Sequence, residues 1–154
     1  MSQAESAGPL DEVVGYVLKR AAAALRTRMD AELRPLGLTV PQYACLEVLA
    51  RQPGLSNAEL ARAVFVSRQS MNLVLRGLQD RGLVARPAST PHGRALPSQL
   101  TQTGREQLRA ASILVKSVEK RMLTPLSAAA QDRLRRDLAA CADALAEHHD
   151  APES

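Results

Sequence analysis

Between Ser56 and Gly82 the chain carries two helix starts so close together that only one kind of arrangement joins them. Ser56 with Glu59 three residues later has capping-box spacing, in which hydroxyl and carboxylate each satisfy a free first-turn amide. Leu60, Ala61 and Val64 then share one face of a short helix, and Ser67 stands ready to cap a second. The residues between, Ala63 to Val66, are too few for a loop of any size. The two helices therefore meet through a tight turn, as a helix-turn-helix does. Beyond the Gly82 stop, LVARPAST is compatible with a strand and RALPSQL with its return, joined across STPHG.

The flanking sequence reads as long helices. Leu10, Val13, Val14, Val17, Leu18, Ala21, Leu25 and Met29 recur every three or four residues, up to the stop at Pro35 and Gly37. Thr39 followed by Val40 and Pro41 opens a second helix that turns Tyr43, Leu46 and Leu49 inward and ends before Pro53 and Gly54. Thr101 and Thr103 open another, with Leu108, Ala111, Val115, Val118 and Met122 in alternating steps of three and four. Pro125 breaks it, Ser127 caps the next, and Leu134, Leu138, Cys141 and Leu145 repeat the rhythm. With 154 residues the expectation is one domain, mainly α with a small β-hairpin, about six helices in all. Aromatic residues are only 2% of the chain, so Leu, Ala and Val must fill the core, which suits packed helices.

On a wheel of 100° per residue, Met71, Val74, Leu75 and Leu78 fall on one side of the helix after Ser67. Gln69, Asn72, Leu73 and Arg76 point away, with Arg68 at the flank. Gln and Asn bond an adenine edge in two places, and Arg takes guanine or a phosphate. A polar outer face is also what any solvated helix shows, so the face alone leaves both readings open. Two features tip the balance. The short capped helix is the support that sets such a helix into a major groove, its N-terminal residues, Ser67 to Ser70, nearest the bases. The strand pair carries Arg86 near its start and His92 and Arg94 at its tip, where basic side chains meet phosphates or a minor groove. A net charge of +4 agrees with a polyanionic partner.

The run ELARAVFVSRQSMNLVLRGLQDRGLVARPASTPHGRALPSQLTQTG resembles the winged helix-turn-helix of the MarR family of bacterial transcriptional regulators, above all in GLVAR, the Arg-bearing wing tip and LTQTG. The resemblance implies a homodimer with intertwined first and last helices, binding a near-palindromic double-stranded operator. It also implies a repressor released by a small, often phenolic, ligand or by oxidation. On that reading residues 1–9 are a disordered arm and 149–154 a polar tail. Residues 39–100 form the DNA-binding part, framed by dimerisation helices at 10–36 and 101–148. The expected DNA contacts are Ser67, Arg68, Gln69, Ser70, Asn72, Leu73, Arg76, Arg86, His92 and Arg94. Tyr43 and Arg86 are the candidates for the effector pocket. Many members have Asp where this chain has His92, which leaves the tip less rigid or pH-sensitive, given the ordinary His pKa of about 6.5. Many have Thr-Arg where this chain has Asn72 and Leu73, so its operator should differ.

Other readings are weaker. The family's oxidation sensors use a Cys near the start of the first helix, and this chain has only Cys45 and Cys141, each expected as a buried structural thiol. A ligand switch is therefore favoured over a thiol switch. No metal is expected, because His148, His149 and Asp150 make a poor ligand set. No cofactor motif, phosphate-binding loop or nucleophile elbow is present, so an enzyme is not expected. A winged protein-interaction module without DNA binding would show more aromatic or aliphatic anchors than Leu73. Without a signal peptide or a long apolar run, the chain is expected in the cytoplasm.

Overall fold

In a computed structural model, which describes residues 8–86 and 97–146, the described chain holds six α-helices, a two-stranded ladder and short 3-10 turns at Leu10–Glu12 and Arg34–Leu36. The order of helices and strands is α1 (Val14–Leu33), α2 (Val40–Arg51), α3 (Asn57–Val64), α4 (Arg68–Asp80), β1 (Val84–Ala85), β2 (Gln99–Leu100), α5 (Gln102–Leu123) and α6 (Ala128–Ala146). The chain divides into two compact units, one ending at Val118 and the other beginning at Glu119, the border falling inside α5.

In the first unit, local capping starts each short helix. Thr39 accepts the Gln42 amide while the Gln42 side chain accepts the Thr39 amide, a capping box at α2. Ser56 and Glu59 form the same box at α3. Helix ends are equally regular. α4 closes with the Gly82 N–H on the Gln79 carbonyl and the Leu83 N–H on the Leu78 carbonyl, with Gly82 at φ 71°. The turn after α1 repeats this at Gly37, φ 68°, and α3 repeats it at Phe65, φ 63°. Each is a Schellman end, whose left-handed residue favours glycine.

The core lies under α4. Leu33, Leu46, Leu60, Met71 and Leu78 are fully buried, and Leu75, Leu83, Val84 and Leu108 join the same cluster. The amphipathic spacing of α4 thus places Met71, Leu75 and Leu78 inward, as its wheel requires. α1 behaves differently. Its predicted apolar face is solvent-facing through most of its length, Val14 being 81% exposed, and only Met29 and Leu33 pack into the core.

Of the strands expected over 83–90 and 94–100, residues 87–90 and 94–96 lie outside the described residues, and the ladder seen joins two residues of each. It pairs Val84 with Leu100 and Ala85 with Gln99, antiparallel. Arg86, Pro97 and Ser98 are outside it, and Pro97 has no N–H to donate to a ladder. Residues 87–96, with His92 and Arg94, lie outside the described residues.

α5 is locked to this ladder at its first turn. The Thr101 N–H donates to the Leu83 carbonyl (3.1 Å), the Thr101 hydroxyl donates to the Gly82 carbonyl, and the Gly104 N–H donates to that same hydroxyl (3.0 Å). Gly104 is buried so close to β1 that a Cβ there would stand 2.0 Å from the Leu83 carbonyl oxygen. Arg81 extends the clamp. Its guanidinium donates to the Gly37 carbonyl (2.7 Å) and the Leu36 carbonyl (3.0 Å), and Gln107 of α5 also donates to Leu36 (2.8 Å).

In the second unit, Ser127 accepts the Ala130 amide at the start of α6 (3.2 Å). The Gln131 side chain donates to the Leu123 and Leu126 carbonyls, tying the turn to the end of α5. No residue of α6 is buried, and Leu134, Leu138, Cys141 and Leu145 are all exposed.

Replacing Gly104 by Ala forces a methyl into backbone and should lower unfolding free energy by at least about 1–3 kcal/mol, the usual range for overpacking. Thr101→Val should remove about 1–2 kcal/mol through the lost cap and hydrogen bond. Urea denaturation of both variants measures this; unchanged midpoints would show that the junction does not hold α5.

Candidate nucleic-acid interface

The α4 N-terminus is capped by one side chain only. Ser67 Oγ accepts the Ser70 amide (3.1 Å) and donates to Ser70 Oγ (3.0 Å), and position 70 has no carboxylate to complete a box. The first turn contains no acid, so its remaining amides and the helix dipole favour an incoming anion. Ser67, Arg68, Gln69, Ser70, Asn72, Leu73 and Arg76 are all exposed, each on the face away from the core. Leu73 is 64% exposed, an apolar group among polar ones, suited to a thymine methyl.

Arg86 extends this face. Asn57, Asn72, Leu75, Arg76, Gln79 and Arg86 line one cleft of about 370 Å³, bringing two arginines of the expected DNA set together. Ion pairs among the described residues use Arg20, Arg26, Arg28, Arg51, Arg135 and Arg136, and leave Arg68, Arg76 and Arg86 without one. Three guanidiniums without an ion pair among the described residues, two of them in one cleft, make a surface ready for phosphate oxygens. His92 and Arg94 cannot be placed relative to it, being outside the described residues.

The sequence reading overlooked Asn57. Its side-chain amide donates to Asn72 Oδ1 (3.3 Å), so the first residue of α3 orients an amide on the outer face of α4. Its place directly after the Ser56 cap, at the end of α3 that leads into the motif, was the available signal. Glu59 contributes indirectly. The hydrogen bonds from the Ser56 backbone and hydroxyl hold its carboxyl below the usual range. Its contribution to α3 is therefore complete above the ordinary carboxylate range and is lost as acid protonates it.

Tyr43 lies elsewhere. It is buried in α2 with its hydroxyl donating to Glu47 Oε2 (3.4 Å), and burial raises its pKa against an opposing hydrogen bond with Ser112 of α5. Tyr43 is not among the walls of the cleft that holds Arg86. The thiols also part company. Cys45 is buried, and desolvation pushes it up to about 12, where no reactive thiolate forms at neutral pH. Cys141 is exposed, which corrects the expectation of two buried thiols. The reason is that the apolar stripe of α6 has none of its residues buried. Among the described residues no three His, Cys, Asp or Glu side chains gather to hold a metal, and no helix is long and apolar enough to cross a membrane.

Comparison with known proteins agrees with this geometry. A profile described as the MarR family matches residues 36–95, from the turn before α2 into the wing. The chain is 48% identical over 128 residues to the HTH-type transcriptional repressor Rv2887 of Mycobacterium tuberculosis (strain ATCC 25618 / H37Rv), covering 83% of this chain and 92% of that one. A crystal structure of Rv2887 in complex with DNA superposes with a TM-score of 0.70 at 44% identity, covering 83% of this chain and 96% of the other. Its complex with p-aminosalicylic acid gives 0.71 at 46%, covering 84% and 98%.

Iodoacetamide at pH 8 should leave Cys45 unmodified in the folded protein and alkylate it only after denaturation, read by peptide mass spectrometry. Native labelling of Cys45 at the rate of a free thiol would contradict the burial that raises its pKa.

Proposed function

The chain belongs to the MarR family of winged helix-turn-helix transcriptional regulators, DNA-binding proteins rather than enzymes, and from that premise we propose a homodimeric repressor released from its operator by a small aromatic acid. The observation that carries the DNA part is the outer face of α4: Arg68, Gln69, Asn72, Leu73 and Arg76, all exposed, with both arginines free of ion pairs among the described residues. Ser67 and Ser70 sit where a helix end meets phosphate. Gln69 and Asn72 read base edges, Arg68 and Arg76 take guanine or phosphate, and Arg86, His92 and Arg94 hold the flanking backbone or minor groove.

Dimerisation is supported by apolar surface that one chain leaves in water. Val14, Val17 and Leu18 of α1 are exposed in the first unit, and Leu134, Leu138 and Leu145 of α6 in the second. A twofold dimer would set two copies of α4 about 34 Å apart, one DNA turn, and so matches a near-palindromic site.

Release by an aromatic acid is supported by the solved complexes of Rv2887 with p-aminosalicylic acid and with salicylic acid. Tyr43 of α2, which shares a hydrogen bond with Ser112 of α5, is the residue we assign to the ligand. Arg86 shares its cleft with Asn72 and Arg76, which favours a DNA role over the effector role also considered for it. By linkage the ligand must bind the DNA-free form more tightly than the bound one. The buried, high-pKa Cys45 favours this switch over a thiol switch.

Duplexes selected from a random library should bind at least about a thousandfold more tightly than random DNA, with affinity falling steeply in salt. Gln69→Ala or Asn72→Ala should cost about 1–3 kcal/mol at particular base pairs, and Arg94→Ala should weaken all sequences alike. Salicylate should lower operator affinity in the same anisotropy assay. A footprint indifferent to all three substitutions would refute the interface, and operator affinity indifferent to salicylate and related aromatic acids would refute the release.

A further inference from the structure

Three helix ends in the first unit are built alike, and one of them breaks the residue rule. At Gly37, Gly82 and Phe65 the left-handed residue donates to the carbonyl three before it, and the next residue donates five back. Two of the three positions use glycine, which adopts positive φ without a steric cost. The third uses Phe65 at φ 63°, the only non-glycine among the described residues with positive φ. An aromatic side chain at that conformation is strained, and strained residues cluster at functional sites.

The ring gains nothing from the fold. Phe65 is the only Phe of the chain, and it is 93% exposed although the core beneath it is short of aromatic side chains. Its place is informative. It lies two residues before Ser67, the cap of α4, and so next in the chain to the helix end that carries the exposed Arg68. The exposed residues around it in the chain, Arg62, Ser67, Arg68 and Gln69, are polar or basic, which is the character of a nucleic-acid rim rather than of an apolar protein groove.

We infer that the Phe65 ring is a DNA-contacting group, packing on the apolar wall of the duplex, a thymine methyl or a deoxyribose face, where the α4 N-terminus enters the major groove. The inference rests on the DNA-binding reading above and adds to it a residue outside α4 and the wing. Apolar contact with a thymine methyl is a known mode for Phe, and it adds affinity that does not depend on salt. The strained turn is what aims the ring outward. Glycine would give an easier fold without the contact.

The test uses the full chain and an operator selected for the wild type. Phe65→Gly should raise Tm by roughly 2–4 °C and weaken operator binding about tenfold, with an unchanged slope of affinity against salt. Phe65→Ala keeps a Cβ at the turn and should lose the same affinity with no rise in Tm. Arg68→Ala, by contrast, should reduce the salt slope. Operators with single thymines replaced by deoxyuridine then locate the contact. A position whose demethylation weakens the wild type but not Phe65→Gly places the ring on that methyl, and affinity loss with no such position places it on deoxyribose. The inference falls if Phe65→Gly and Phe65→Ala bind as the wild type does, if only the Gly variant loses affinity, or if the loss accompanies a changed dimer mass in sedimentation. If the wild type prefers no duplex over random DNA, the DNA-binding reading fails, and this inference with it.

Discussion

The Leu83 carbonyl is the point on which the first unit turns. It follows the left-handed Gly82 that ends α4, it belongs to the residue that leads into β1, and it accepts the Thr101 amide that leads into α5. Gly104 must be glycine for α5 to come this near, since any Cβ would overlap that oxygen. One short junction therefore sets the positions of α4, the β1–β2 ladder and the first turns of α5 relative to each other. Arg81 adds the turn after α1 through two backbone carbonyls, and Gln107 reaches the same turn from α5. Each bond is individually modest, about 1 kcal/mol net, but together they join α4, β1, α5 and the turn after α1 and leave α4 little freedom to tilt.

That rigidity matters because groove recognition depends on placement. Arg68, Gln69, Asn72, Leu73 and Arg76 are presented on one exposed face while Met71, Leu75 and Leu78 hold the opposite face in the core. Asn57 fixes the amide of Asn72 from a neighbouring helix, so the support extends to individual side chains. Preorganised donors and acceptors lose less entropy on binding than free ones, which is the advantage of mounting them on a clamped helix.

Much of this was legible in the sequence because it is local. The caps at Thr39, Ser56, Ser67, Thr101 and Ser127 lie within three residues of the amides they serve, and the wheel of α4 separated core from surface correctly. What spacing could not give were contacts between residues far apart in the chain. Arg81 reads as a surface charge, Gly104 as an ordinary helical glycine, and Asn57 as a solvated first-turn residue until tertiary structure supplies their partners. Of the strand pair, the described residues carry the ladder of Val84–Ala85 with Gln99–Leu100, and Pro97 has no N–H to extend it on the β2 side. Cys141 was misread for a related reason. An apolar stripe marks a face that wants cover, without telling whether the same chain provides it.

The central claim is that α4 enters the major groove of DNA, twice, on a twofold-related pair of chains. Methylation interference at guanine N7, an atom of the major groove, tests it most directly on a selected operator. The account predicts two clusters of interfering guanines on one face of the duplex, their centres about 10 base pairs apart. A single cluster, or binding indifferent to N7 methylation at every guanine of a guanine-containing site, would contradict it.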